Sequence, residues 1–188
     1  MTQPPSPNPS KLFSESIGSE TESLAQELLL DQREHIDRYI AIADTKAAFL
    51  IGLLSASIVG LSQSSAGRHL LEPMSRWGGM DLFLVAAVVS LGGATALSMY
   101  VVRPRLINTA KKGLIPWLGI SAFPNKEEYL KSFSAASRSH LIEDLASNVY
   151  DLSRIARRKY YWLGWSFLVT GAGLLMAVLA CILSALKP

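Results

Sequence analysis

With 188 residues, 49% of them hydrophobic, and a net charge of +3, the chain has the length of an ordinary soluble domain but not its distribution of charge. No charged residue occurs in the 21 positions from Ala47 to Gly67, the 21 from Leu82 to Val102, or the 27 from Tyr160 to Leu186. Each run meets the ~20 residues needed to cross a hydrocarbon core, three of them would leave little polar surface to cover a soluble core, and the single Cys181 excludes a disulfide framework.

Residues 1–18 carry Pro4, Pro5, Pro7 and Pro9 among Ser, Thr and Asn, a composition that predicts a disordered cytoplasmic tail. They contain no apolar run, so no cleavable signal is expected and the first span doubles as the insertion signal. Across 19–46 the residues Leu29, Ile36, Tyr39, Ile40 and Ala43 recur at threes and fours, and Arg33–Asp37 and Glu34–Arg38 are i,i+4 pairs. This pattern predicts an amphipathic helix. No breaker separates it from span one (47–67), so a single helix is expected to run from cytoplasm into bilayer.

A short loop (68–81) leads to span two (82–102), which Pro104 ends by removing a backbone donor and restricting its predecessor. Gly113, Pro116, Gly119 and Pro124 make 105–124 a turn-rich connector. Asn125, with Glu128 three residues on, then predicts the capped start of a helix over roughly 126–136. A last helix starts near Ser139, with Leu141, Leu145, Val149, Leu152 and Ile155 as its apolar stripe, and continues into span three (160–186). The fold class expected is an all-α membrane protein with three transmembrane helices and two long cytoplasmic helices continuous with spans one and three.

Orientation follows from the excess of Lys and Arg on cytoplasmic segments. Segment 103–159 holds eleven of them and the loop between spans one and two holds two, Arg68 and Arg76. The N-terminus and 103–159 are therefore expected in the cytoplasm. Residues 1–46 carry a net charge of −4 and 103–159 a net +6, so the acidic helix is expected to pack on the basic segment. The positive charge left over suits lipid headgroups or an anionic ligand. Lys111, Lys112, Lys126, Lys131, Arg157 and Arg158 are the candidate contacts, and Trp117, Phe123, Tyr129 and Phe133 lie near the first four as a base-stacking pocket would require.

Small residues recur at intervals of four within each span: Gly52, Ala56 and Gly60; Ala86, Ser90, Ala94 and Ser98; Gly173, Ala177, Cys181 and Ala185. Such stripes let membrane helices approach closely, and they predict helix packing within the chain or in a homo-oligomer. No ionisable residue lies inside a span, which disfavours ion or proton transport. His35, His69 and His140 are scattered, and no phosphate-binding glycine loop, nucleophile elbow or zinc-helix motif is present. Neither enzymatic activity nor a metal or cofactor is expected, and nucleic acid is not an expected partner.

Several short pieces carry a resemblance. The run Tyr39-Ile-Ala-Ile-Ala-Asp44-Thr-Lys46-Ala47 resembles the Asp-x-Lys-Ala signature of the transmembrane effectors of Pycsar antiphage systems. Arg103-Pro104-Arg105, the helix start at Asn125–Tyr129 and the Leu152, Ile155, Lys159 helix follow in the matching order, so the resemblance covers about 30–186. Trp117-Leu118-Gly119 departs from it, since phenylalanine is expected before the glycine. The resemblance implies an effector of the bacterial inner membrane. A partner pyrimidine nucleotide cyclase would supply cUMP or cCMP, and the effector would respond by impairing membrane integrity, leading to abortive infection. Asp44, Lys46 and Lys159 are then candidates for signal coupling, Asp44 and Lys46 by contacts to the last helix such as Arg157 or Asp151, or else simple interfacial anchors. The competing readings are a non-gated adaptor that docks a protein or anionic lipid, and a holin-like pore former. A neighbouring cyclase gene favours the effector and a lysis cassette the holin.

Overall fold

The computed structural model describes residues 9–64, 67–68, 78–104, 113–115 and 117–185. These form five helices and no strand: α1 (Pro9–Gln63), α2 (Gly79–Val102), α3 (Trp117–Ser121), α4 (Lys126–Ala135) and α5 (Arg138–Ala185). Three of them, α1, α2 and α5, are long and apolar enough to cross a membrane. Lys111, Lys112, His69 and most of the loop between spans one and two lie outside the described residues.

Each long run of sequence is one unbroken helix. α1 runs through Pro9–Gln63, so the helix already covers part of the segment that the composition reads as a disordered tail. Between Pro9 and Gln63 only glycines interrupt the pattern, and a helix tolerates each at about 1 kcal/mol. The helix closes in a serine turn: Ser64 Oγ donates to Leu61 O at 2.6 Å and accepts from Gly67 N at 3.0 Å. At the start of α2, Asp81 accepts the Gly78 N–H at 2.7 Å, placing a carboxylate at the positive end of the helix dipole. Asn125 Oδ1 accepts from Glu128 N at 2.8 Å and so caps α4 as its sequence predicts. The connector 105–124 contains the short α3, which the turn-rich composition conceals.

The chain divides into two compact units: Met1–Arg38 with Arg105–Arg154, and Tyr39–Pro104 with Ile155–Pro188. In the first, the turn at Gly113–Ile115 is fastened twice. Asp144 of α5 accepts the N–H groups of Leu114 (2.8 Å) and Ile115 (3.2 Å), and Tyr129 Oη of α4 donates to Leu114 O at 3.4 Å. An ion pair of 3.8 Å joins Glu22 of α1 to Arg138 of α5. Gly119 packs against backbone: a Cβ there would lie 2.5 Å from Gly113 N and 2.7 Å from its Cα. Backbone cannot move aside as a side-chain tip can. Gly119→Ala is therefore expected to destabilise the chain by about 2 kcal/mol, in the range of overpacking, and to increase amide hydrogen exchange at 113–115. Unchanged exchange there would show that the turn tolerates the methyl group.

In the second unit the three spans meet along seams. The buried positions are Ala43, Ala47, Leu50, Leu54 and Leu61 on α1, and, beyond Asp81 in its first turn, Leu84, Ala87, Leu91, Ala94, Ser98 and Val101 on α2. On α5 they are Lys159, Leu163, Ser166, Thr170, Gly173 and Ala180. On α2 and over most of α1 and α5 the spacing alternates between three and four residues, the repeat of helices that supercoil left-handedly. Ala43 to Leu54 cluster with Leu91 to Val101 and Leu163, while Leu61 clusters with Leu84, Ala87 and Ala180. Spans one and three thus run parallel, and span two runs against both.

The seams sort the predicted small-residue stripes. Residues four apart advance 400° and drift by about 40° per step, so a stripe of fours leaves the contact line after two or three members. Ala94, Ser98 and Gly173 lie on the seams, and Ser90 and Ala177 border them. Ala86 is half-buried, and Gly52, Ala56, Gly60, Cys181 and Ala185 are exposed.

Candidate functional site

Two charged residues are buried along the seams, Asp81 at the start of α2 and Lys159 on α5. Lys159 begins the α5 seam, 4% exposed, one turn before Leu163. Its ammonium forms an ion pair and hydrogen bond with Asp44 of α1. Asp44 stands between the seam residues Ala43 and Ala47, both fully buried, and methyl side chains at those two places allow α5 to come close enough for the lysine to reach it. The Asp44 side chain itself keeps 36% of its surface exposed, so the pair has one buried and one half-exposed end. Burying the ammonium costs several kcal/mol unless its counter-charge is in place, which makes the contact strongly dependent on both partners.

Around this pair lies a cross-section rich in aromatic rings. Tyr160 Oη donates to Tyr39 O at 3.2 Å, and the two rings stand 6.2 Å apart. Tyr100 of α2 meets Trp162 edge-on at 5.4 Å, and Trp162 meets Tyr161 at 5.5 Å. Arg158 Nη2 donates to Tyr100 Oη at 3.1 Å. Farther along the bundle, Ser98 and Ser166 share a buried hydrogen bond of 2.7 Å, and Ser166 also donates to Ala94 O at 3.1 Å. An interhelical bond of this kind contributes about 0.6 kcal/mol. Thr170 Oγ1 donates to Ser166 O within α5. Polar groups thus follow one line of α5, 159, 166 and 170, into the apolar run.

Of the three residues expected to couple signal, two meet each other. Asp44 pairs with Lys159, not with Arg157 or Asp151, and Lys46 is exposed without an ion-pair partner among the described residues. Two residues along a helix differ by about 200°, so Asp44 faces α5 and Lys46 cannot. Among the candidate ligand contacts, Arg157 and Arg158 are exposed on α5 in the second unit, and Lys126 and Lys131 are exposed on α4 in the first. The two lysines are five residues apart, about 140° around the helix, so α4 does not aim them at one point. Tyr129 stands edge-on to Phe123 at 5.4 Å and 73° and beside Phe133 at 6.0 Å. These rings pack on one another.

Ser166 belongs to no stripe of small residues at intervals of four. A three-four alternation starting from Lys159 finds it, together with Thr170 and Gly173. No group of three or more His, Cys, Asp or Glu that could hold a metal ion occurs among the described residues. What the site can do is electrostatic and mechanical: it joins the two long helices α1 and α5 through a charge pair where each enters its uncharged run.

The family model described as the Pycsar effector protein domain, PycTM, matches residues 28–186, from within α1 past the end of α5. The chain is also similar to the Pycsar effector protein SaPycTM of Staphylococcus aureus, at 25% identity over 142 residues, 75% of this chain and 84% of that one. No solved structure matches. With Asp44, Lys159 and all three spans inside the matched region, the chain belongs to the PycTM family of Pycsar effector proteins.

Proposed function

We propose that this chain is the membrane effector of a Pycsar-like antiphage system, gated by a cyclic pyrimidine nucleotide and acting on the integrity of the bacterial inner membrane. The family is one of Pycsar effectors in antiphage defence, and the three apolar helices make the chain a multi-pass membrane protein. In this reading a partner pyrimidine nucleotide cyclase makes cUMP or cCMP on phage infection. The nucleotide acts on the cytoplasmic side, where the N-terminus and the basic segment lie, and the spans respond by repacking. The cell is lost before phage mature, and the protein catalyses nothing itself. Arg157, Arg158, Lys126, Lys131 and the two lysines at 111 and 112 are the basic groups available to the phosphate.

The observation that supports gating best is the pair Asp44–Lys159. A charge on a membrane seam is costly, and it favours one register of α5 against α1. A ligand that binds better to a different packing of α5 against α1 would shift the bundle between two states; a ligand indifferent to that packing would do nothing. The small face Gly52, Ala56 and Gly60, exposed among the described residues, is where a homo-oligomer would form.

Purified protein in dye-loaded vesicles provides the test. Leakage is expected with cUMP or cCMP and not with their purine counterparts or without nucleotide. Equal leakage in the absence of nucleotide would remove the gating claim. No leakage under any condition, with no phage resistance in cells, would remove the effector claim.

A further inference from the structure

The end of the second unit that carries Asp44 and Lys159 has a second property, separate from the pair. Direct contacts fix its composition: Asp44 to Lys159, Tyr39 to Tyr160, Tyr100 to Arg158 and to Trp162. Positions 39–46 of α1, 100–103 of α2 and 157–162 of α5 therefore lie at one level, where the uncharged runs of all three spans begin or end. Amphipathic rings are exposed there: Tyr39 by 45%, Tyr161 by 59% and Trp165, one turn on, by 47%. Tyr and Trp at such a level mark the boundary between hydrocarbon and headgroups.

The charge at this level is one-sided. Among the described residues of the unit, the only carboxylate at this end is Asp44, and Lys159 occupies it. Lys46 on α1, Arg103 at the end of α2, and Arg157 and Arg158 on α5 are all exposed and form no ion pair among the described residues. Four cations on three helices, set beside rings that seat in the interface, form a collar rather than a pocket. Arg158 is held by Tyr100 across to α2, with Arg103 one turn beyond that tyrosine. A planar guanidinium presents paired donors suited to phosphate oxygens. A free anion would meet these cations from one side only; a layer of headgroups meets all of them at once.

We propose that this collar, Lys46, Arg103, Arg157 and Arg158 with the exposed tyrosines and Trp165, binds anionic phospholipid headgroups and selects them over zwitterionic ones. Anionic lipid is then a ligand of the folded bundle. This inference does not depend on nucleotide gating. Each Lys or Arg near an anionic surface strengthens attraction roughly five-fold.

The experiment uses the full chain carrying Trp77→Phe and Trp117→Phe, so that Trp162 and Trp165, both at the collar, report. Quenching of their fluorescence is compared in vesicles containing brominated phosphatidylglycerol and in vesicles containing brominated phosphatidylcholine. The expected result is a preference for phosphatidylglycerol of about five-fold or more. It should fall by about five-fold or more, to the value left by Lys46 and Arg157, when Arg103→Gln and Arg158→Gln are added, and be retained with Arg103→Lys and Arg158→Lys, which keep the charge. Circular dichroism verifies helix content in each. Equal quenching by the two lipids in the reporter protein overturns the proposal. So does a preference that survives the glutamine substitutions undiminished, or one that the lysine substitutions abolish.

Discussion

Asp44→Ala is expected to destabilise the helix bundle in detergent by about 3 kcal/mol, although a third of the aspartate side chain is in contact with its surroundings. The cost arises at the other end of the pair. Lys159 is 4% exposed, and removing its counter-charge leaves an ammonium on a seam between apolar residues, the case in which breaking a buried pair costs about 3–5 kcal/mol. The lower figure applies because Asp44 keeps 36% of its side chain exposed, so part of its attraction is screened by solvent. Asp44→Ala combined with Lys159→Met should recover most of the loss, since methionine restores volume without charge. Thermal unfolding of the four proteins closes a double-mutant cycle with a coupling energy above about 1 kcal/mol. The same four proteins in the leakage assay separate packing from signalling. A double variant that is stable yet no longer responds to nucleotide supports coupling through the pair. A double variant that is stable and responds as the unsubstituted protein does reduces Asp44–Lys159 to a packing device.

The second large effect is expected at Gly173. A Cβ there would fall 3.1 Å from Ser90 Cβ and 3.1 Å from Leu91 Cδ2, closer than ordinary contact before any further atom is added. Gly173→Leu must therefore push α5 away from α2, at about 3 kcal/mol or more, and strain the Ser98–Ser166 bond farther along the same interface. By contrast, a Cβ at Gly52 or Gly60 meets nothing within 4 Å. Gly52→Leu with Gly60→Leu should leave the unfolding transition within about 0.5 kcal/mol of the unsubstituted value. If that face joins two copies, the pair of leucines should also abolish chemical cross-linking between copies and the leakage. Leucines that change neither exclude this face as the contact between copies.

The contrast between these glycines marks what the sequence reveals. The number of long apolar helices follows from missing charge, which acts over twenty residues and needs no knowledge of neighbours. Asn125 is recognisable as a cap because its partner, Glu128 N, is three residues away. Helix faces are harder to read. Gly52 and Gly173 both belong to stripes of small residues at intervals of four, yet one is exposed and the other packed. Period four describes a straight helix approximately, whereas helices that wind about each other keep contact at an average of three and a half. Asp44 and Lys159 are each conspicuous as charges at the edge of a span. Their pairing, across 115 residues of sequence, depends on the parallel course of α1 and α5, which no local pattern contains.

The position of Lys159 on its seam also restricts how the bundle can move. An axial slip of α5 by one turn, about 5.4 Å, would bring Leu163 beside Asp44 and strand both charges. Turning α5 about its own axis, by contrast, lets the long lysine stem follow the carboxylate while the seam beneath it loosens. The pair thus opposes axial slip of α5 more strongly than it opposes rotation.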